Sequence, residues 1–386
     1  MKLTGRFCCL FLLSGPWCVP AGAHSPTRQS AHQNAAVRYR RADKTLRNDY
    51  ALPPDAPTVL AKALTSPLDE SDQKLVKAAG MALAEFRGAT ALKNCDWGLT
   101  PEAGPSADTS YRQAIRELVL VSGIRARLRF RDGHSEDAIS DSLAAMTAAR
   151  HLSVDGTLAS VLISYQLEDQ ISQILARNLS RLSRPQLRQL AAKLSSLPHG
   201  AKMSDALRSE QIDRHPLLTV VRGAAGRDDL IAHLSSGVPL LNGDQNRAQQ
   251  VVDGCGGSVH GFTACLDQQR AFYETWIACF AEPPGQFESD YNLQLTKSAA
   301  ANPIIRFFTP ALPRLRWAEA YSRTRRALLL AAISVQMDGP ASLVRFNDPY
   351  QDDLFSFIPL EHGFRLQSEL TDESGPIGLS IQPDSP

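Results

Sequence analysis

Several kinds of feature are missing from this chain of 386 residues, and each absence excludes something. Charge of one sign is absent: 41 basic residues stand against 40 acidic ones, a net of +1. That leaves no electrostatic footprint for nucleic acid or an anionic membrane surface. Lysine is scarce, at nine positions, so arginine carries most of the positive charge. With the abundance of alanine, this reads as the coding bias of a GC-rich bacterium. Beyond the first twenty residues no long apolar run occurs. The longest, Ala327 to Val335, is under half of the roughly 20 residues a membrane-spanning helix needs, so no membrane span is expected. Catalytic signatures are also sparse. There is no phosphate loop, dinucleotide fingerprint or H-E-x-x-H, and His151, His199, His215 and His233 are scattered without zinc-site spacing. No cofactor is therefore expected.

What is present begins with Lys2 and Arg6, an apolar run from Phe7 to Val19, and Ala21-Gly22-Ala23. This is the pattern of a secretory signal peptide over residues 1–23. Ser14-Gly15-Pro16-Trp17-Cys18 is a poor lipoprotein box, because Trp stands just before the cysteine. The expectation is soluble export, periplasmic or secreted, with another exported or envelope protein as a possible kind of partner.

Losing the leader removes Cys8, Cys9 and Cys18 and leaves Cys95, Cys255, Cys265 and Cys279. An even four suits an oxidising compartment, and four cysteines allow three pairings. Apolar residues from Phe262 to Phe280 recur with helical period, which places Cys265 and Cys279 about 21 Å apart on one helix. A disulfide tolerates about 7 Å between Cα atoms, so that pair is excluded. Gly254, Gly256, Gly257 and Gly261 allow the chain to fold back from Cys255 onto the helix start. This favours Cys255 with Cys265, worth about 3 kcal/mol in the chain-entropy model, and leaves Cys95 with Cys279. Four reduced, buried thiols are the alternative.

Along the chain, residues 24–55 are polar and then proline-rich, and read as a flexible lead-in. Residues 56–340 carry helical periodicity. Ser66-Pro67-Leu68-Asp69-Glu70 starts a helix continued by Leu75, Ala78, Met81, Leu83 and Phe86. A loop follows, with Trp97 expected to pack on the helices. Ile115 to Phe130, the turn Arg131-Asp132-Gly133-His134, and Ala138 to Ala149 predict a helix hairpin resembling one tetratricopeptide unit, its small positions being Ala126, Gly133, Ala138 and Ala145. Further helices are predicted over 156–179, after Pro185, over 204–221, over 226–234 and over 315–337. Arg323, Arg325 and Arg326 read as a solvated helix face. In residues 341–386 the period changes to two: Leu354, Ser356, Ile358, then Phe364 and Leu366, around Glu361-His362-Gly363, predict a β-hairpin. The fold class is mainly α, stacked antiparallel helix hairpins with a small C-terminal β-hairpin.

Asp348-Pro349-Tyr350, Leu354-Phe355-Ser356-Phe357 and Gly363-Phe364-Arg365-Leu366-Gln367-Ser368 resemble the closing segment of type II secretion major pseudopilins. The helical body followed by this tail also resembles large exported bacterial proteins of uncharacterised function. The prepilin peptidase site and long apolar N-terminal helix of pseudopilins are missing, so pilin function is not implied. The resemblance does draw attention to calcium and thus to Asp348, Asp352, Asp353, Asp372 and Glu373 as oxygen donors. Solvated carboxylates that discourage strand pairing are the alternative.

Two constellations invite a catalytic reading. Gly256-Gly257-Ser258-Val259-His260-Gly261 places a serine and a histidine two residues apart in a glycine-rich loop. A nucleophile elbow needs glycine two residues after the serine, where this chain has His260. Tyr165, Glu168 and Ser172 share one helix face, and Asp169 adjoins it. Glu168 is then either an acid for Ser258 and His260 or a hydrogen-bond acceptor between helices. The function expected is a non-enzymatic interaction or scaffold protein that binds through a groove between helices, with a secreted serine hydrolase using Ser258 and His260 as the alternative.

Overall fold

Helical structure begins inside the segment expected to be a flexible lead-in. In the computed structural model the described residues are 33–98, 109–209, 216–238, 241, 243–280, 287, 302–308, 312–351 and 353–382; the leader lies outside them. Helix α1 runs Ala35–Asp49, capped by Asn34, and buries Ala35, Ala36, Tyr39, Ala42 and Leu46. Those positions recur at three and four residues, which is one helix face. Arginines on the other positions lower the mean hydropathy and conceal the stripe.

Helix α2 spans Ala56–Ala63, and the expected helix after Ser66 is two helices, α3 over Glu70–Ala78 and α4 over Gly80–Thr90. Asp69 caps α3 in a capping box with Asp72. The chain turns at Ala79, so Met81, expected on the apolar face, is exposed. The predicted hairpin is α5, Ser110–Arg131, and α6, Ser135–Ser153, joined through Gly133 at φ 83. Helix α6 is buried on every side from Asp141 to Ser153, as a helix enclosed by others must be. Around it lie α4, α5, α7 (Leu158–Asn178) and α8 (Arg184–Ser195). Its alanines let these neighbours approach closely.

Short helices follow: α9 Met203–Ser209, α10 Pro216–Gly223, α11 Arg227–Gly237 and α12 Gln245–Gly254. Then come α13 Val259–Cys279, α14 Pro303–Phe308 and α15 Leu312–Asp338. Gly339, at φ 81, ends α15. Parts of α10, α11, α12 and α13 with Ile304 of α14 form an apolar cluster of their own, and Trp276, Phe280 and Met203 belong to another.

The tail is a three-stranded antiparallel sheet in the order β1 (Ser356–Leu360), β2 (Gly363–Asp372), β3 (Gly375–Ile381), so a third strand joins the expected hairpin. Phe364, Leu366, Ser368 and Leu370 alternate inward on β2. On the first strand side the expectation was inverted: Phe355 is buried while Leu354 and Ile358 are exposed. The sheet packs on α15 and α7 and shares the main core with α1 to α8.

Among the described cysteines, Cys95, Cys255, Cys265 and Cys279, no two sulfur atoms are at bonding distance. The expected Cys95–Cys279 pairing is overturned by packing, because Cys95 lies in the main core and Cys279 in the Trp276 cluster. Cys255 and Cys265 do come together in one apolar cluster, without a covalent bond between them. The glycines act as expected there: Gly256 and Gly257 take positive φ, and a Cβ on Gly261 would stand 2.1 Å from the Cys255 carbonyl oxygen.

Candidate functional site

Helix α5 carries arginine at 125, 127, 129 and 131. At about 100° per residue, alternate positions diverge by about 200°, so 125 and 129 share one face and 127 and 131 another. The two faces meet different surroundings. Arg125 and Arg129 turn to Asp141, which is fully buried on α6. Arg125 donates to it at 2.6 and 2.8 Å, Arg129 at 2.7 Å, and Arg87 of α4 at 2.9 Å. Burial pulls the Arg125 guanidinium below its ordinary range and the Asp141 carboxylate opposes that.

Arg127 and Arg131 turn to the C-terminal end of α7. Helices α5 and α7 touch through Gly123, where a Cβ would stand 3.0 Å from Ile171 Cδ1 and 3.3 Å from Ile174 Cδ1. One turn further on lies a cleft of about 300 Å³, lined by Arg127, Arg131, Arg177 and Arg181 with Leu68, Ile174 and Asn178. Among the described residues no carboxylate lines it. Arg127 is anchored from behind, donating to the carbonyl oxygens of Ala63 and of Ser66, the latter at 2.9 Å. Arg131 donates to the exposed Asp132 at 2.9 Å. Arg131 and Arg177 occupy last turns of their helices, where positive charge answers the helix dipole. Two arginines from α5, one from α7 and one from the 3-10 turn that follows it, Leu179–Arg181, thus line one cleft on a chain that is almost neutral. Sequence reading missed it. The signal was the strictly alternating arginine run of α5, repeated by the four-residue spacing of Arg177 and Arg181.

At the opposite ends of the same two helices the polar groups are mutually engaged. Asp155 accepts from Tyr111, from Ser160 and, at 2.8 Å, from the Thr157 backbone, while Arg112 donates to Ser160 at 3.0 Å and Thr157 at 3.1 Å. Nearby, the Tyr39 hydroxyl and His151 Nδ1 are 2.9 Å apart, and Trp97 Nε1 donates to the His151 carbonyl at 2.9 Å. Burial lowers the His151 pKa to about 4 and raises that of Tyr39 well above its ordinary value. A tyrosine that keeps its proton therefore donates to a neutral imidazole.

The residues singled out from sequence fall into separate places. Ser258 is exposed and serves as the N-cap of α13, its Oγ accepting from Gly261 N at 3.0 Å, and His260 is exposed in the first turn. Glu168 is on α7, facing Arg150 of α6, which donates to it at 2.7 and 3.1 Å. Asp169 is also engaged, taking Arg325 of α15 at 2.7 Å. Arg325 is thus buried against α7 rather than solvated as expected. Of the tail carboxylates, Asp348 is buried and accepts from Ser368 Oγ at 2.5 Å and from the Glu369 and Tyr350 backbone at 3.0 Å. Asp372 shapes the β2–β3 turn through Ser374, Asp353 is exposed, and Asp352 lies outside the described residues. Among the described residues no group of three or more such side chains is placed to hold a metal ion, and no helix is long and apolar enough to cross a membrane. No protein-family model matches the chain, and neither characterised proteins nor solved structures provide a match.

Proposed function

We propose that the chain is an exported, non-enzymatic interaction or scaffold protein that binds through a groove between helices, and that the groove is the arginine-lined cleft of α5 and α7. The observation that carries this reading is the lining of one recess by Arg127, Arg131, Arg177 and Arg181. Guanidinium groups recognise carboxylate and phosphate through paired, charge-assisted hydrogen bonds, so the occupant carries negative charge. The hydrolase alternative draws less support. The Ser258 hydroxyl is committed to capping α13, and Glu168 is committed to Arg150, so neither is poised for proton transfer with His260. Turnover of activated esters by the full chain tests the choice between them. No rate that depends on Ser258 is expected, and hydrolysis abolished by Ser258→Ala, in a variant that retains its fold, would establish the enzyme instead.

A further inference from the structure

The geometry points to an internal site for a single monatomic anion, chloride, in the cavity where α6, α7, α8 and α15 meet. The cavity has a volume of about 10 Å³, room for one particle of about the size of a water molecule. Phosphate, sulfate and carboxylate groups are too large for it. Five charged side chains line it: Arg150 from α6, Glu168 and Asp169 from α7, and Arg325 and Arg326 from α15. Three positive charges therefore stand against two negative ones.

The partners of each group decide where the extra charge sits. Arg150 donates twice to one oxygen of Glu168, at 2.7 and 3.1 Å, and once to the Pro198 carbonyl oxygen at 2.9 Å. Arg325 donates to Asp169 and to the Gly378 carbonyl oxygen, each at 2.7 Å. Each of these two arginines thus has a carboxylate of its own. Arg326 differs. It donates to the Leu194 carbonyl oxygen at 3.2 Å, and among the described residues no carboxylate stands at ion-pair distance from it. Burial and the nearby Arg150 draw its guanidinium below the ordinary range, against a smaller opposing pull from Glu168. Most of its five N–H donors remain for a further acceptor. Ser322, one helical turn before Arg325 and Arg326, adds a hydroxyl to the same wall. A chloride ion balances the third positive charge and accepts from these donors. A water molecule would fill the space but leave that charge uncompensated.

The experiment uses the full chain, with sodium bromide as the probe in crystals and sodium chloride in solution. Crystals soaked in bromide are expected to show an anomalous peak in the cavity beside Arg326. In thermal melting, chloride is expected to raise the midpoint saturably, by about 2 °C or more over sodium gluconate of equal ionic strength. Arg326→Gln keeps most of the side chain and removes its charge, so the chloride-specific rise should vanish in it. Arg208→Gln, on the exposed surface of α9, should keep that rise. Bromide found only on the surface, with water in the cavity, overturns the site. A chloride-specific rise that survives Arg326→Gln does the same. If Arg326→Gln fails to fold, the bromide map of the unaltered chain decides by itself.

Discussion

The body built from α1 to α8 and the arm from α9 to α13 handle charge in opposite ways. In the body, Asp141 and Arg150 are buried on a helix enclosed by its neighbours, and each meets a partner delivered from another element. In the arm, ion pairs such as Arg227 with Asp253 and Arg208 with Asp205 are on the surface, and the interior includes the apolar packing of Leu234, Val251, Val252 and Phe262. Breaking a buried pair leaves an uncompensated charge away from water, whereas breaking an exposed one only restores hydration. The body is therefore held by specific partners and the arm by shape and area.

The largest effect is expected from Asp141→Asn, which leaves Arg87, Arg125 and Arg129 crowded without their anion. A loss of about 3–5 kcal/mol should appear as a lower denaturant midpoint; a shift of a few tenths would remove the contrast. Next is the pH dependence set by His151. Its pKa is about 4 in the fold against 6.5 as the ordinary value. Between those values the unfolded chain binds the proton and the folded chain does not, so this contribution is complete above pH 6.5 and lost as pH falls towards 4, by up to ~3 kcal/mol. His151→Gln should flatten the stability profile across that window, and an unchanged slope would refute the assignment.

In the arm, Val252→Ala should cost about 2 kcal/mol through lost burial and the cavity left behind. Hydrogen exchange should show the loss in α11 to α13 while the amides of α6 keep their protection. Equal loosening of α6 would mean that arm and body unfold as one unit. The smallest effect is expected from Asp253→Asn, which removes an exposed partner of Arg227. No change in the midpoint beyond error is anticipated, and a loss comparable with that of Asp141→Asn would erase the distinction.

Much of the helical plan was legible because its signals are local. The Gly133 turn, the apolar period of α5 and α6, the Asp69 cap and the Gly339 stop act within a few residues, where backbone geometry is decided. Helix α1 was missed because its buried stripe of alanines and Tyr39 is narrow and arginine-flanked, so only packing against the core distinguishes it from a polar lead-in. The candidate site was not recognised at all. Its arginines were visible, but charges on a helix look alike until packing decides which neighbours each one meets.

By itself the sequence determined many of the helix starts and stops, the mainly helical class, and the return of Cys255 onto the start of α13, since glycine and cap residues act on their own stretch of backbone. Only the tertiary structure decided which arginines of α5 meet Asp141 and which face the cleft. It also left Cys255 and Cys265 in one apolar cluster without a covalent bond and put Cys95 and Cys279 in different clusters. Such outcomes depend on the distance between residues far apart in the chain, and packing, not local preference, sets that distance.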